Sequence, residues 1–532
     1  MKLPALLLLV FIATLPAQAQ SPWAHLTPEG HLTYAATPRG DHIADFSYAG
    51  YMAGGVALPT APISETLTPS GADDTAALQS ALDRTAKAAA DQHKTLALLL
   101  APGTFHLSAT ITLTASNVVL RGSGPTKTTL TLTGAPHLGL RIGAKSASTN
   151  EDDDETQPEA STEVTSTRTT IAPNTYVPSG TQHLPVASAA GFAPGDTILI
   201  THPITPEYNA FMGMDHLVRS GREEHWIGSK ILIERRIVSI VGNNLTLDVP
   251  LTDSYDPKFG GGALTTVQKI TPPHRLSQVG IESLTISCPS VSINLTDPHF
   301  DGIQLTSVED AWLRDLHLEE TINSVSVASA ARRITIDHVD IVQHSPILSP
   351  AKNFAFSLAG TQTLVMHSTV HGDKVFFVAT QAREQGPNVV LYCNFTGDQS
   401  LEPHQRWGTG LLVDNVTVKG GAINFINRGT MGSGHGWTMG WGVVWNSAAS
   451  NFIIQMPPGT INWAMGNRGP LQSQAMPDGN GSRRHGTPLP SGQIESQGKP
   501  VTPQSLYLAQ LAERLGPAAL RNIGYNSTDP AH

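Results

Sequence analysis

The chain has 532 residues, of which 14% are charged and 40% hydrophobic, a composition typical of folded proteins and unlike disordered or coiled-coil chains. Its formal net charge of -10 argues against nucleic acid as the main ligand, because no basic face is available to displace counterions from phosphates. Seven of the negative charges lie in one stretch: Glu151, Asp152, Asp153, Asp154, Glu155, Glu159 and Glu163. The net charge of the rest of the chain is therefore near -10 + 7 = -3, which is compatible with an acidic polysaccharide as partner.

The N-terminus has the pattern of an export signal. Lys2 supplies the positive charge, an unbroken apolar run covers residues 6–12, and Ala17 and Ala19 form a small-x-small cleavage site. A membrane anchor is the disfavoured alternative, because the apolar run is too short to span a bilayer. The pattern therefore predicts a signal peptide over residues 1–19, no membrane span, and a mature protein that is secreted or periplasmic.

Residues 20–145 predict an N-terminal cap followed by the first coils of a repeat. Leu78, Ala81 and Leu82 recur at helical spacing behind an aspartate, which predicts a short amphipathic helix over residues 76–90 with an Asp N-cap. Short apolar runs separated by turn residues then predict three strands, near residues 96–100, 111–113 and 118–124.

Residues 146–275 predict an acidic disordered loop followed by a small inserted β domain. From residue 146 to about residue 171 the chain is rich in Ser, Thr, Glu and Asp and shows no apolar periodicity. Alternation of apolar and polar residues returns beyond residue 180, as in the run Thr-Ile-Leu-Ile that ends at Ile200.

Residues 276–470 contain an imperfect repeat whose unit is one short alternating strand and a polar turn. Successive strands start 23 to 32 residues apart, at Ile281, Leu313, Ile336, Val365, Val390, Val413 and Val444. A short unit with variable insertions indicates a solenoid of parallel strands, in which each coil buries its inward residues on its neighbours. An antiparallel sandwich is the alternative, disfavoured because Asn-Gly and Asp-Gly hairpin signals rarely separate these runs.

Three stretches resemble the N-terminal capping region of the pectate-lyase superfamily of right-handed parallel β-helices: residues 71–79 (GADDTAALQ), 101–105 (APGTF) and 119–124 (VLRGSG). Together with the coils, the resemblance implies an all-β fold, a right-handed parallel β-helix (solenoid) with an N-terminal capping helix and a small inserted β domain. Residues 471–532 are expected to form a C-terminal loop and helix. That superfamily contains lyases, glycoside hydrolases and phage tailspikes, so function must be argued from the site.

The densest cluster of reactive side chains falls in the last coils. His404 lies nine residues before Val413 and His435 lies nine before Val444, so the two histidines occupy equivalent places on adjacent coils. The same offsets make Arg383 and Arg406 equivalent. Because stacked strands lie about 4.8 Å apart, we expect both pairs to converge on one face.

Such a cluster suits elimination across a uronate sugar. An arginine beside a histidine lowers the pKa of the imidazole and keeps it able to accept a proton, while arginines pair with a carboxylate. We predict His404, Arg406, His435 and Glu402 as catalytic residues, and Arg383, Arg428 and Asn427 as substrate-binding residues. The function indicated is a polysaccharide lyase acting on a uronate-containing glycan.

Two other functions stay open on the same scaffold. A glycoside hydrolase needs two carboxyl groups flanking the scissile bond, and Glu402 is the strong acid candidate in this region. A non-catalytic glycan-binding β-helix is the third.

Aromatic residues point to sugar binding in the same region. Four of the eight tryptophans fall between residues 437 and 463, and aromatic faces suit the apolar patches of sugar rings. Trp407, Trp437 and Trp441 are predicted to bind substrate in a groove, while packing under long turns is the alternative for each of them.

No cofactor or metal site is predicted. The 21 histidines show no ligand spacing typical of zinc. The resemblance to β-helix lyases implies that calcium could assist the reaction. The sequence does not indicate a calcium site, because the acidic run at residues 151–155 lacks the glycine turn and spaced oxygen ligands of a calcium loop.

Overall fold

The computed structural model describes residues 19–144, 164–228, 230–259, 264–477 and 486–525. The predicted signal peptide, apart from its last residue, and the acidic stretch up to residue 163 lie outside the described residues. No helix within the described ranges is long and apolar enough to cross a membrane.

The helices are few and lie at the ends of the chain and in the insert: α1 (Thr75–Gln92), α2 (Pro206–Phe211), α3 (Leu506–Leu515) and α4 (Pro517–Asn522). The predicted capping helix is confirmed by α1, which buries Leu78, Ala81 and Leu82. The predicted Asp N-cap is confirmed in position only. Asp74 stands at the N-cap but makes no capping bond, because its carboxylate accepts instead from the backbone N–H of Ser70 at 2.8 Å.

Ten strands precede the insert: β1 (Ala19–Gln20), β2 (Ala24–Leu26), β3 (Leu32–Tyr34), β4 (Ile63–Leu67), β5 (Leu96–Leu100), β6 (Gly103–Leu107), β7 (Ile111–Leu113), β8 (Val118–Arg121), β9 (Thr128–Leu132) and β10 (Leu138–Ile142). From β4 onward these strands pair in parallel. They form the first coils, capped on one side by α1.

Eight strands lie between residues 164 and 270: β11 (Val164–Thr170), β12 (His183–Pro185), β13 (Thr197–Pro203), β14 (Leu217–Arg219), β15 (Arg222–Glu224), β16 (Lys230–Val241), β17 (Asn244–Leu247) and β18 (Thr266–Ile270). Six of them form an antiparallel sheet in the order β11-β18-β13-β16-β17-β12. The expectation of a disordered loop is wrong for residues 164–170, because β11 pairs antiparallel with β18 and its β-branched threonines favour a strand.

The solenoid continues through nineteen further strands: β19 (Leu276–Ser287), β20 (Asp301–Leu305), β21 (Val308–Glu319), β22 (Val325–Val327), β23 (Arg332–Gln343), β24 (Asn353–Leu358), β25 (Thr361–Met366), β26 (Thr369–Gly372), β27 (Val375–Thr380), β28 (Gln385–Leu391), β29 (Asn394–Thr396), β30 (Ser400–Leu401), β31 (Gly408–Asp414), β32 (Thr417–Phe425), β33 (Met439–Gly440), β34 (Val443–Trp445), β35 (Ala448–Ile454), β36 (Trp463–Met465) and β37 (Gln493–Glu495). The last strand, β38 (Val501–Thr502), pairs with β1 in a separate two-stranded sheet. The coils join into a sheet of 26 strands. The fold is a parallel β-helix.

The predicted repeat is confirmed residue by residue. The seven strand starts are register partners in unbroken parallel order, Ile281, Leu313, Ile336, Val365, Val390, Val413 and Val444. All seven are 0% exposed and belong to one continuous apolar core. Burying such a side chain stabilises the fold by about 1.5–3 kcal/mol, so the alternation that marks each coil also holds the stack together. The antiparallel sandwich is excluded for these strands.

One corner of the coils carries a column of residues with left-handed backbone, here called the corner ladder. Each follows the end of a register-matched strand segment. Because L residues adopt this conformation at some cost, the repeated corner is a constraint imposed by a tight bend of the chain, which falls inside β19, β21 and β23 and between strands on the later coils. Its members, with φ between 47° and 55°, are Ser283, Asp315, His338, His367, Tyr392, Asn415 and Asn446.

Candidate functional site

His404 and His435 lie side by side on successive coils. Their ring centroids are 4.7 Å apart at an interplanar angle of 81°. The backbone register accounts for this, because the N–H of Arg406 donates to the carbonyl of His435 at 2.9 Å, and the N–H of Arg383 donates to the carbonyl of Arg406 at 2.7 Å. The stacking predicted from the sequence offsets is therefore confirmed for the two histidines. For the arginines the register differs by one residue from the prediction, because Gln385 pairs with Thr409 at an interval of 24 residues.

The ring of His404 is oriented by Gln381. Nδ1 of His404 lies 3.0 Å from Oε1 of Gln381, and the amide nitrogen of Gln381 donates to Oγ of Ser357 at 2.8 Å. Since the amide oxygen can only accept, Nδ1 carries the hydrogen in the neutral ring and Nε2 holds the lone pair. Burial, followed by the charges of Arg428 and Arg406, holds the pKa of His404 well below its usual value.

His435 is also kept neutral. Burial lowers its pKa well below the usual value, and His404, Arg428 and Arg406 lower it further. The ring packs directly on Gly432, where a Cβ would lie 1.9 Å from Nε2 of His435. Gly432 also has a φ of +60°, so both the close approach and the turn require glycine at this position.

Two arginines flank the histidine pair. Nη2 of Arg406 donates to both the carbonyl and Oγ of Ser433 at 2.8 Å. Nη1 of Arg428 donates to the carbonyl of His404 at 2.9 Å, and its guanidinium lies 5.5 Å from the ring centroid of Phe376. Both side chains are largely buried, so their positive charge acts on the imidazoles with little screening.

Glu402 completes this group, here called the histidine cluster (His404, His435, Arg406, Arg428 and Glu402). Its Oε2 accepts from Nδ2 of Asn424 at 2.8 Å and from Oγ of Ser400 at 3.1 Å, and its Oε1 lies 3.6 Å from Nε of Arg428. The carboxylate thus faces donors on both oxygens, an arrangement that positions Arg428.

The side chain of Arg383 lines a different space. It faces a charged cavity of about 500 Å³ between the inserted sheet and the coils, together with Arg235, Arg275 and Glu234. The expected convergence of Arg383 and Arg406 on one face is therefore wrong: the register is shifted by one residue at this point of the two coils, and Arg383 lines this second cavity.

Trp407 and Trp441 meet at one buried carboxylate contributed by the segment that follows the inserted sheet's β17. Nε1 of Trp407 donates to Oδ2 of Asp253 at 2.8 Å, and Nε1 of Trp441 donates to Oδ1 at 3.3 Å. Burial raises the pKa of Asp253 to about 6, while these hydrogen bonds oppose the rise. Because Trp407 is 1% exposed, its indole is packed inside the protein and has no face open to a substrate.

Asn427, Trp437 and Trp441 line an apolar cavity of about 880 Å³, here called the tryptophan cavity. Nε1 of Trp437 donates to the carbonyl of Met212 at 3.0 Å, and Oδ1 of Asn427 accepts from the N–H of Gly429 at 2.8 Å. Further lining comes from the insert, the N-terminal segment, the turn between β35 and β36 and the C-terminal loop, including Phe211, Met212, Met214, Arg39, Pro457 and Met476.

The tryptophan cavity adjoins the histidine cluster along the chain. Asn427 pairs with Trp437 in an antiparallel bridge, and Arg428 and His435, one and two residues inside this bridge, belong to the cluster. The other two tryptophans of residues 437–463, Trp445 and Trp463, do not line this cavity: they are 0% exposed and pack in the apolar core with α3.

Sequence reasoning missed the residues that orient the cluster. Gln381 was detectable, because it precedes His404 by 23 residues, one of the intervals between strand starts. Asn424 and Asp253 carried no such signal, since Asp253 reaches the coils only through the docking of the insert.

Comparisons with known proteins give distant likenesses only. No family model and no curated protein matches the chain. Among solved structures, the chain is similar to the tailspike of Acinetobacter baumannii bacteriophage AP22 in complex with a capsular saccharide (12% identity, TM-score 0.31, 80% of this chain and 73% of that chain). It is also similar to the catalytic domain of a GH87 α-1,3-glucanase in complex with nigerose (8%, 0.34, 85% and 68%). A third is the A-module of an Azotobacter vinelandii mannuronan C-5 epimerase (10%, 0.27, 85% and 98%). Because these identities and scores are low, function is inferred below from the chain's own residues.

Proposed function

We propose that this protein is a secreted or periplasmic polysaccharide lyase that cleaves a uronate-containing glycan by β-elimination. In that reaction a base takes the proton from the carbon beside the carboxylate. The electron pair forms a carbon–carbon double bond, the glycosidic C–O bond breaks, and the leaving oxygen takes up a proton. The chemistry needs a neutral base and positive charge near the carboxylate.

The observation that carries this proposal is the state of His404. Its Nδ1–H is committed to Gln381, so in the neutral ring Nε2 presents a lone pair. Burial, followed by the charges of Arg428 and Arg406, lowers the pKa of His404. The ring is therefore kept in its proton-accepting form. A general base of this kind contributes about 10²–10⁴-fold to rate.

The arginines supply the second requirement. Arg406 and Arg428 bring two positive charges to the same two imidazoles, and a guanidinium stabilises a carboxylate more strongly as negative charge builds up on it during proton removal. Arg383 lines the neighbouring cavity. Its proposed role is to bind a part of the substrate that lies away from the bond that breaks.

A glycoside hydrolase is the second candidate. It requires two carboxyl groups at the scissile bond. Within the described residues, Glu402 is the carboxylate of the histidine cluster. Its two oxygens already contact Ser400, Asn424 and Arg428. This arrangement favours a positioning role for Glu402 over proton donation.

We propose that the tryptophan cavity holds part of the glycan. Its volume of about 880 Å³ falls within the range of small-molecule sites. Trp437 and Trp441 are each 3% exposed, so the largely apolar lining as a whole, with the exposed ring of Phe211, is what suits the apolar face of a sugar ring. The stretches that resemble the pectate-lyase superfamily agree with a glycan ligand. A non-catalytic glycan-binding protein would use this cavity alone.

The test is a panel of acidic and neutral glycans read in two ways, by the ultraviolet absorbance of an unsaturated uronate and by new reducing ends. Absorbance together with reducing ends supports the lyase. Reducing ends without absorbance indicate the hydrolase, and retained binding with neither signal indicates a glycan-binding protein.

A further inference from the structure

Two rungs of the corner ladder bring two histidines and one aspartate together, away from the histidine cluster. Within the described residues, Asp337, His338 and His367 present one ligand atom each, and these atoms lie within 4.8 Å of one another. Oδ1 of Asp337 is 2.7 Å from Nδ1 of His338 and 2.9 Å from Nδ1 of His367. None of the three belongs to the site proposed above.

The coil register forces this juxtaposition. Ile336 pairs with Val365 and Asp337 with Met366, so His338 and His367 take the same place on consecutive coils. Both have left-handed backbone, with φ of 53° and 50°. Their ring centroids are consequently 4.8 Å apart.

The rings are also turned the right way for a shared ligand. Both Nδ1 atoms face the same oxygen of Asp337. The other nitrogen of His367, Nε2, lies 2.7 Å from the hydroxyl of Tyr525. A hydrogen bond on the far nitrogen is the usual way in which a metal-binding imidazole is oriented.

The three side chains are accessible to different degrees. His338 is 62% exposed, His367 24% and Asp337 15%. An ion could therefore reach the three atoms from solvent while water completes its coordination.

We propose that Asp337, His338 and His367 bind a divalent transition-metal ion, with Zn²⁺ as the probe, through two imidazole nitrogens and one carboxylate oxygen. Tetrahedral ligand atoms at about 2.0–2.2 Å from zinc are separated from each other by about 3.3–3.6 Å, a value between the two Nδ1–Oδ1 distances of 2.7 and 2.9 Å and the 4.8 Å within which all three atoms lie. Two nitrogen ligands disfavour calcium and magnesium, which take oxygen.

The ion would also secure the end of the described chain. Tyr525 follows α4, and its ring contacts those of His367 and Tyr392, with centroids 5.4 Å and 5.8 Å away. Holding His367 by its Nδ1 fixes the ring that Tyr525 contacts. Zinc binding should therefore stabilise the docking of this segment on the coils.

The experiment is calorimetric titration of ZnCl₂ into the full chain, without an affinity tag and after treatment with a chelator. We expect saturable binding of one ion and a rise in melting temperature, because an ion that binds only the folded state stabilises it. His338→Ala and Asp337→Asn should each weaken binding at least tenfold.

The matched control is His317→Ala. His317 contacts Asp340 through Nδ1 at 2.8 Å and forms a single His–Asp pair on neighbouring strands of the same sheet. This variant should bind zinc as the unmodified protein does. Absence of saturable binding in the unmodified chain, or equal affinity in His338→Ala, would overturn the proposal, whatever the outcome of the glycan assays.

Discussion

The imidazole rings of His404 and His435 meet edge to face on two successive coils, with centroids 4.7 Å apart. Each ring is held neutral by burial and by the same two arginines, Arg406 and Arg428. The pair therefore offers proton acceptors in a positively charged surrounding, a combination that suits removal of a proton beside a carboxylate.

His404→Ala should lower turnover by about two to four orders of magnitude, the usual cost of removing a general base. The melting temperature should change little by comparison. His317→Ala, which alters a surface pair elsewhere on the coils, should leave turnover unchanged. Equal turnover in His404→Ala and the unmodified protein would remove His404 from the mechanism.

Arg406→Lys should reduce kcat/KM by about tenfold or more. Lysine keeps the charge but lacks the planar guanidinium, which holds Ser433 through Nη2 and whose fork geometry can grip a carboxylate with two bonds. Ser433→Ala is the matched variant, because it removes Oγ and leaves the backbone carbonyl. If both variants lose the same activity, anchoring by Ser433 and not the guanidinium accounts for the effect.

Glu402→Gln separates the two reaction classes. A lyase that uses Glu402 to position Arg428 keeps measurable turnover, whereas a hydrolase that uses it as an acid is nearly inactive. We expect retained turnover, measured by absorbance and by reducing ends in the same samples. Near-complete loss, with an unchanged circular dichroism spectrum, would favour the hydrolase.

Ala210→Trp should weaken glycan binding by filling the tryptophan cavity. Ala210 lies on α2, is exposed and lines that cavity, so an indole there occupies the proposed site without disturbing the core. Glu207→Trp places the same ring on the same helix, at a residue that does not line the cavity. Equal dissociation constants for the two variants would argue against glycan binding in this cavity.

Asp253→Asn should flatten the dependence of stability on pH. The pKa of Asp253 is about 6 in the folded protein against an ordinary 3.8, so between these values the folded state binds more protons than the unfolded state. The contribution of Asp253 to stability is therefore largest below pH 3.8 and declines by about 3 kcal/mol as pH rises to 6.

The measurement is the difference in unfolding free energy between the unmodified protein and Asp253→Asn at pH 4, 5, 6 and 7. Taking the difference removes the effect of other buried groups, such as Asp414, whose pKa burial raises to about 7. A difference that does not change with pH would show that Asp253 is not the titrating group.

The sequence by itself determined the coils. Inward residues such as Val390 and Val413 recur at intervals that match the turns of the solenoid, and alternation fixes which side chains are buried. Those intervals were enough to bring His404 beside His435. His338 and His367 each lie two residues after such an inward residue, Ile336 and Val365. The same intervals therefore pair these two histidines, although they are not spaced along the chain as in a typical zinc motif.

Only the tertiary structure decided where the side chains between strands point. Arg383 and Arg406 lie on adjacent coils with a register shift of one residue, and one lines the charged cavity while the other contacts Ser433. The tryptophans were assigned to a groove, but the docked insert and α3 bury them, since Asp253 and Met212 reach them from distant parts of the chain. Periodicity specifies contacts between neighbouring coils, whereas the packing of an insert on those coils depends on surfaces that no local pattern encodes.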